Sequence, residues 1–473
     1  MSATSRYSGS VHVALPSTQT VAADTPAPRA KDYLSWALVL VLAGAQVQHF
    51  TAGFRLTADD VMFHFWLLQG FPELWNQTWA AAVNQGRIGH LAIVPMNAIA
   101  GYFADSFEIR LLVVLLYFAS FLIFSLYISK VIRSNISLPL FLILITLHPL
   151  AYYHLPPTSY PLHLSVALFF LLVCRLSVWH LRWKPGGRSR AIFPEAMFAL
   201  LFAVCMTTSE YMFVVGTALM AVEWSATYFW RRSEGNLNGR NVAKGIMLDS
   251  RLGLDALAVA VSLVAYVSFR LIHPSEYTGN TADGLKNIQA FSVTLIKHVY
   301  AGTPLPYLGR VIFQSPSEQW LLAACFSIST FGVALASVRS LSRLRAPWFV
   351  ALASMMFAAY VTAPIAAGAR FQEWCMGTVQ CAYLDSRLSY FGVALAIVAG
   401  IAALTRWFSA GRLNAVLTAM VCAALAVLAG LTYLQNWNRA EDMRDLVSAW
   451  ERASRMACGR EAGSVDDTSL LAF

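Results

Sequence analysis

The sharpest chemical feature of the chain is Ala58-Asp59-Asp60-Val61-Met62-Phe63-His64, where two adjacent carboxylates stand just beyond the first long apolar run. If that run crosses a membrane, the pair lies at its surface and repels both itself and anionic headgroups. Holding it there calls for a cation, a metal or a proton. The plainer role of Asp59 and Asp60 is to cap a helix, for which Thr57 and both acids are suited, and the two roles are compatible. A second cluster, Asn84-Gln85-Gly86-Arg87-Ile88-Gly89-His90, opens the next apolar segment. The Arg87 guanidinium offers two parallel donors of the kind that grip a phosphate. Gly86 and Gly89 permit close backbone approach to a ligand, or simply make the tight turns beside an interfacial anchor.

Three further groups share the same side of the chain's apolar segments. Glu210, in Thr207-Thr208-Ser209-Glu210-Tyr211, sits between two apolar runs, where a carboxylate is costly unless paired. It can cap a hairpin, meet Arg387, join the aspartates around a metal, or contact substrate hydroxyls. Arg387 lies in Tyr383-Leu384-Asp385-Ser386-Arg387-Leu388-Ser389-Tyr390, with a salt bridge to Asp385 or snorkelling as its structural alternatives. Arg370 stands in the preceding connection, as do Cys375 and Cys381, which can close a short disulfide loop in an oxidising compartment. Asp59, Asp60, His64, His90 and Glu210 together suit a hard divalent cation such as Mg or Mn, although nothing in the pattern requires a cofactor. No paired His at helical separation occurs, which argues against a tight zinc site.

The elements that must position these residues follow from composition. Of 473 residues 58% are hydrophobic and only 12% charged, against roughly 25% charged in soluble domains. A water-soluble surface, a disulfide scaffold and, beyond the first thirty residues, disorder are all excluded. The net charge of +9 is read by location, as an orientation signal, so a nucleic-acid partner is not expected. The expected fold is an all-α polytopic transmembrane bundle. Twelve apolar segments fall near the length needed to cross a bilayer: 33–52, 87–104, 111–129, 136–154, 161–180, 192–208, 211–230, 252–272, 319–338, 347–367, 389–408 and 413–434.

Basic connections containing Arg182, Lys184, Arg188 and Arg190, then Arg231 to Arg251, Arg339 to Arg345, and Arg406 with Arg412, fall on one side, which is therefore cytoplasmic. The N-terminus is then cytoplasmic and the C-terminus external, which twelve complete spans cannot satisfy. Eleven or thirteen spans resolve the parity. The segment 87–104, with Pro95 and Asn97, is the preferred one to fail, ahead of 136–154 with Pro139 and Pro149. Residues 1–32 read as a disordered cytoplasmic tail, 33–434 as the membrane domain, and 435–473 as an external amphipathic tail. The first external loop, 53–86, is dense in aromatic residues and is expected to lie along the membrane as interfacial helices. Cys174, Cys205, Cys325 and Cys422 read as packing residues, and 273–318 as a long loop facing an acceptor.

An Asp-Asp pair just after the first span, followed by Gly-Arg at the second segment, resembles the C-type integral-membrane glycosyltransferases. The likeness is greatest to the bacterial branch that includes O-antigen glucosyltransferases. The motifs cover about residues 33–105, and the rest is similar by architecture alone. The resemblance implies a polyprenyl-phosphate-linked sugar as donor and a glycan or lipid-linked acceptor on the external face of the bacterial cytoplasmic (inner) membrane. By analogy Asp59 or Asp60 is the base for the acceptor hydroxyl, and Arg87, Arg387 and Arg370 are the cations for the phosphate leaving group. His64, His90 and Glu210 are supporting residues. Two other readings stay open: an O-antigen or exopolysaccharide polymerase or ligase, and a membrane transporter or flippase, which would place ionisable residues inside several spans.

Overall fold

The computed structural model describes residues 30–52, 58–103, 106–151, 159–182, 192–233, 250–275, 285–310, 315–378, 381–407 and 412–461. Those residues form seventeen α-helices, one 3-10 helix and no strand. Nine of the helices are long and apolar enough to cross a membrane, and two shorter apolar ones, Ser137–Thr146 and Phe193–Thr207, lie among them. The expected all-α polytopic bundle is the observed fold.

The first helix, α1 (Ala30–Ala52), is followed by two helices outside the membrane-length set, α2 (Ala58–Leu68) and α3 (Phe71–Gln85). They turn on Gly70, whose φ of 111° only glycine tolerates readily, with Pro72 opening α3. Phe63, Leu67 and Leu74 form their small core, while Phe65, Trp75 and Trp79 remain exposed. That split, one apolar seam inward and aromatic rings outward, is what an interfacial position requires. The segment 87–104 does not make one long helix. It divides into α4 (Gly89–Ala92) and α5 (Val94–Phe103), because Pro95 lacks the amide proton that would continue α4.

The bundle proper begins with α6 (Phe107–Val131), capped by Ser106, whose side chain accepts from the Ile109 amide at 3.3 Å. At its centre stands α7 (Ser137–Thr146), nearly every residue of which is buried. It contacts α1, α6, α13 (Ser317–Leu341), α16 (Leu384–Trp407) and α17 (Arg412–Glu461). On one side pack α8 (Ser159–Arg182), α9 (Ile192–Thr207), α10 (Glu210–Ser233) and α11 (Ser250–Ile272). On the other, α13 lies along α17, and α14 (Pro347–Ala366) along α16. The α14–α16 seam is tight because Gly392 sits where a Cβ would come within 2.5 Å of the Ser354 carbonyl oxygen. Helix α12 (Ile288–Ala301) and the 3-10 helix Leu305–Arg310 occupy the stretch expected to be an open loop, and α15 (Ala369–Gly377) precedes α16.

After Thr146 the chain leaves helical geometry while still buried, through His148, Leu150 and Ala151. Free backbone groups inside a membrane protein must be met by neighbours. The Leu150 amide donates to Asn436 Oδ1 at 2.6 Å, and the Leu150 carbonyl accepts from Gln435 Nε2 at 2.8 Å. Asn436 Nδ2 reaches both the His148 carbonyl at 2.9 Å and Gln46 Oε1 at 2.8 Å. This corrects the boundary expected at residue 434. Gln435 and Asn436 are not the start of a separate tail, because their amides are spent inside the bundle and α17 continues unbroken over 50 residues. Of the expected tail at 1–32, residues 1–29 lie outside the described residues, and 30–32 are the first residues of α1.

Candidate functional site

The turn from α3 into α4 brings several of the singled-out residues together. Gly86 closes α3 in the left-handed conformation (φ 61°). A Cβ there would lie 2.6 Å from the His273 carbonyl oxygen, and one on Gly89 would lie 2.6 Å from that of Thr208. The two glycines therefore let this turn press onto the α9–α10 hairpin and the end of α11. The close approach they permit is to protein backbone, a correction to the ligand role expected for them. The hairpin itself falls at Thr208 and Ser209, where the sequence placed it, and Ser209 Oγ accepts from the Met212 amide at 3.2 Å.

Seated this way, Arg87 Nε lies 3.1 Å from Glu210 Oε1, with the two side chains 26% and 43% exposed. A pair so open to solvent contributes little stability, so its main effect is to hold the guanidinium in place. Arg87 Nη1 donates to Gln85 Oε1 at 3.4 Å, and His90 Nε2 lies 3.2 Å from the same oxygen. Arg270 Nη1 donates to the Gln85 carbonyl at 3.2 Å, which brings a second guanidinium to this corner. Burial, with the Arg87 charge adding to it, pushes the His90 imidazole down to about 4, against a smaller upward pull from Glu210. Arg87, His90 and Glu210 thus share one site. Glu210 meets Arg87 and not Arg387.

Arg387 occupies a different setting, at the head of α16. It is buried, its Nη2 donates to Ser165 Oγ at 2.8 Å, and its guanidinium carbon stands 3.5 Å from the centre of the Tyr117 ring. The Tyr117 hydroxyl in turn lies 3.0 Å from His148 Nε2. Asp385 does not pair with it. Two residues along a helix point to opposite sides, and the Asp385 carboxylate faces His298 Nδ1 at 2.9 Å instead. Among the described residues Arg387 has no carboxylate partner, and its Nη1 has no hydrogen-bond partner. A buried cation in that condition is costly unless an anion completes it.

The remaining candidates are dispersed or lie beyond description. Asp59 and Asp60 fall in the first turn of α2, where the helix dipole favours carboxylates, but their side chains are outside the described residues. His64 is an exposed residue of α2 and Arg370 an exposed residue of α15. Cys375 and Cys381 are drawn together as a disulfide with Cα atoms 5.2 Å apart. Of the cysteines expected to pack, Cys325 is exposed. His64, His90 and Glu210 form no metal grouping among the described residues, and the Asp59 and Asp60 side chains of the expected set lie outside them. The only such grouping there joins His298, Cys375 and Cys381.

Sequence reasoning missed a buried ion network at the opposite end of α8. Arg175 bonds Asp255 at 2.7 Å and also Glu223, while Arg182 bonds Glu195 at 2.6 Å, Asp255 at 2.8 Å and Glu223 at 3.2 Å. The Tyr127 hydroxyl donates to Glu223 at 2.9 Å. Arg182, expected in a basic connection, is thereby corrected to a nearly buried ion-pair residue. A signal was present, since Arg175 and Arg182 are seven apart and share one helical face. No family model, curated protein or solved structure matches the chain.

Proposed function

We propose that this protein is a membrane glycosyltransferase that moves a sugar from a polyprenyl-phosphate donor to a cell-envelope glycan or lipid-linked acceptor. In this reading it works on the external face of the bacterial cytoplasmic membrane, with the N-terminus cytoplasmic and the C-terminus external. The observation that carries it is Arg387, a buried guanidinium with an unanswered N–H and no carboxylate partner among the described residues. A departing phosphate is an anion of the right shape for it. Asp59 or Asp60, at the head of an interfacial helix, supplies the base for the acceptor hydroxyl. Arg87 is a second, more open cation, whose exposed pairing with Glu210 an incoming phosphate can replace.

The test is transfer of labelled sugar from a panel of polyprenyl-phosphate donors in membranes carrying the full chain. Asp59→Asn and Asp60→Asn stand beside Arg387→Lys, with insertion checked in each. One aspartate variant should lose about 100-fold, equivalent to about 2.7 kcal/mol in the barrier. Arg387→Lys, which keeps charge but loses the fork of donors, should lose a similar amount. Full activity in both aspartate variants would remove the proposed base. Full activity in Arg387→Lys would remove the phosphate site.

A transporter or flippase is the second reading, and the Arg175–Glu223–Asp255 network favours it. Ionisable groups buried within helices of membrane length are a feature of substrate and proton pathways. Lipid-linked sugar crossing the bilayer without transfer, abolished by Glu223→Gln, would put that reading first.

A further inference from the structure

Behind α15 the described side chains make a compact polar centre inside apolar packing. His298 of α12, Cys375 of α15, and Cys381 and Asp385 at the head of α16 are all buried. His298 Nε2 lies 3.2 Å from Cys375 Sγ and 3.0 Å from Cys381 Sγ. Its Nδ1 lies 2.9 Å and 3.0 Å from the two carboxylate oxygens of Asp385. Lys297 Nζ donates to the Cys375 carbonyl at 2.6 Å and the Thr378 carbonyl at 2.7 Å, tying the end of α15 to α12.

The arrangement asks more of these residues than a disulfide does. The Asp385 carboxylate is acceptor-only, so the ring's Nδ1–H donates to it, which leaves Nε2 of a neutral ring with its lone pair aimed at two sulfurs. A disulfide sulfur has no proton to offer that lone pair, whereas a metal ion placed among the three atoms answers all of them. A histidine that gives its other N–H to a carboxylate while its free nitrogen meets two sulfurs is the donor set of a zinc-class centre. We propose that in the dithiol state Cys375, Cys381 and His298 Nε2 bind one zinc-class divalent cation, with Asp385 orienting the ring.

The charges close as well. Two thiolates and Asp385 carry three negative charges against the divalent ion and Lys297. Each thiol releases its proton on binding, so one ion displaces two protons to the solvent and no electrons move. The chain is synthesised with its thiols reduced, so the site can fill before the sulfurs join. The disulfide then excludes the ion, and the two states are alternatives. A ligand set of two sulfurs and one nitrogen leaves a fourth tetrahedral position for water or another ligand. This inference is independent of the sugar-transfer reading.

The test uses the full chain in detergent, kept reduced with a phosphine and titrated with Co2+ as the probe. One Co2+ per chain is expected, with a sulfur-to-cobalt charge-transfer band and the visible bands of a tetrahedral centre, displaced by Zn2+. The band should vanish in Cys375→Ser/Cys381→Ser and in wild-type protein that has been oxidised. Asp385→Asn should weaken binding by about 10–100-fold while keeping the band. Absence of the charge-transfer band from reduced wild-type protein would overturn the proposal, and so would equal Co2+ binding by reduced and oxidised wild-type protein. That last comparison needs no variant to fold.

Discussion

His90 and Arg387 show how far a single side chain's setting departs from its type. A histidine at a membrane entrance would ordinarily be part-protonated near neutrality, but burial beside Arg87 holds His90 neutral down to about 4. Its unfolded-state value is about 6.5, so between pH 6.5 and 4 the unfolded chain binds a proton that the folded chain refuses. Stability is therefore unaffected above that window and falls as pH drops through it. The loss from pH 7 to pH 5 should be about 2 kcal/mol, read as a fall in the melting midpoint of the detergent-solubilised protein. His90→Gln, which cannot charge, should flatten that portion of the profile. An unchanged slope in the variant would show that His90 is not the group responsible.

Elements place these side chains, and the α3–α4 turn is the decisive one for Arg87. Its position depends on Gly86 in a left-handed cap and on Gly89 lying against the Thr208 carbonyl. Gly89→Ala must push the turn off the hairpin, since a rigid backbone oxygen is what its methyl would meet. We expect a cost of about 1–3 kcal/mol, with the Arg87–Glu210 contact broken. In the transfer assay the loss should exceed that of Glu210→Gln, which removes the pair but leaves the turn seated. If Gly89→Ala melts and works like wild type, the turn does not set the site. The same scale explains α7: a helix of 10 residues can end inside the bundle because Gln435 and Asn436 bond the backbone of its unwound continuation, with Gln46 accepting from Asn436.

Across the whole molecule the polar groups segregate to two levels. Ser165 and Arg182 are seventeen residues apart on α8, about 25 Å along the helix. The Arg87 and Arg387 settings belong to the Ser165 end, while the five-residue ion network ties α8, α9, α10 and α11 together at the other. Removing one partner from a buried network leaves an uncompensated charge, so Arg175→Met should cost about 3–5 kcal/mol. Arg175→Met/Glu223→Met removes opposite charges together and should recover more than half of that in thermal unfolding. Additive losses in the double variant would mean that the pair does not act as a unit.

The sequence by itself determined the class of fold and most of its helices. A length of apolar run compatible with a bilayer and the scarcity of charge leave a membrane chain little alternative to helix, and Gly, Pro and Ser-Glu breaks mark the ends. It also placed Arg87 beside a turn, because two glycines around one arginine are a local signal. The partners of those residues were a different matter. By residue type Glu210 was open to Arg387, a metal, substrate hydroxyls or a hairpin cap, and Asp385 to Arg387. The seating of the α3–α4 turn on the α9–α10 hairpin and the packing of α12 against α16 gave them Arg87 and His298 instead. Cys375 and Cys381 were visible as a pair, but His298, 77 residues earlier, was not attached to them by any spacing. Nor could local pattern show that Gln435 and Asn436 belong inside, since polar amides read as the end of a span unless a second unwound segment needs them. Helices arise from hydrogen bonds four residues apart and are written locally. Sites here arise from side chains on helices far apart in the chain, which only their docking brings within reach.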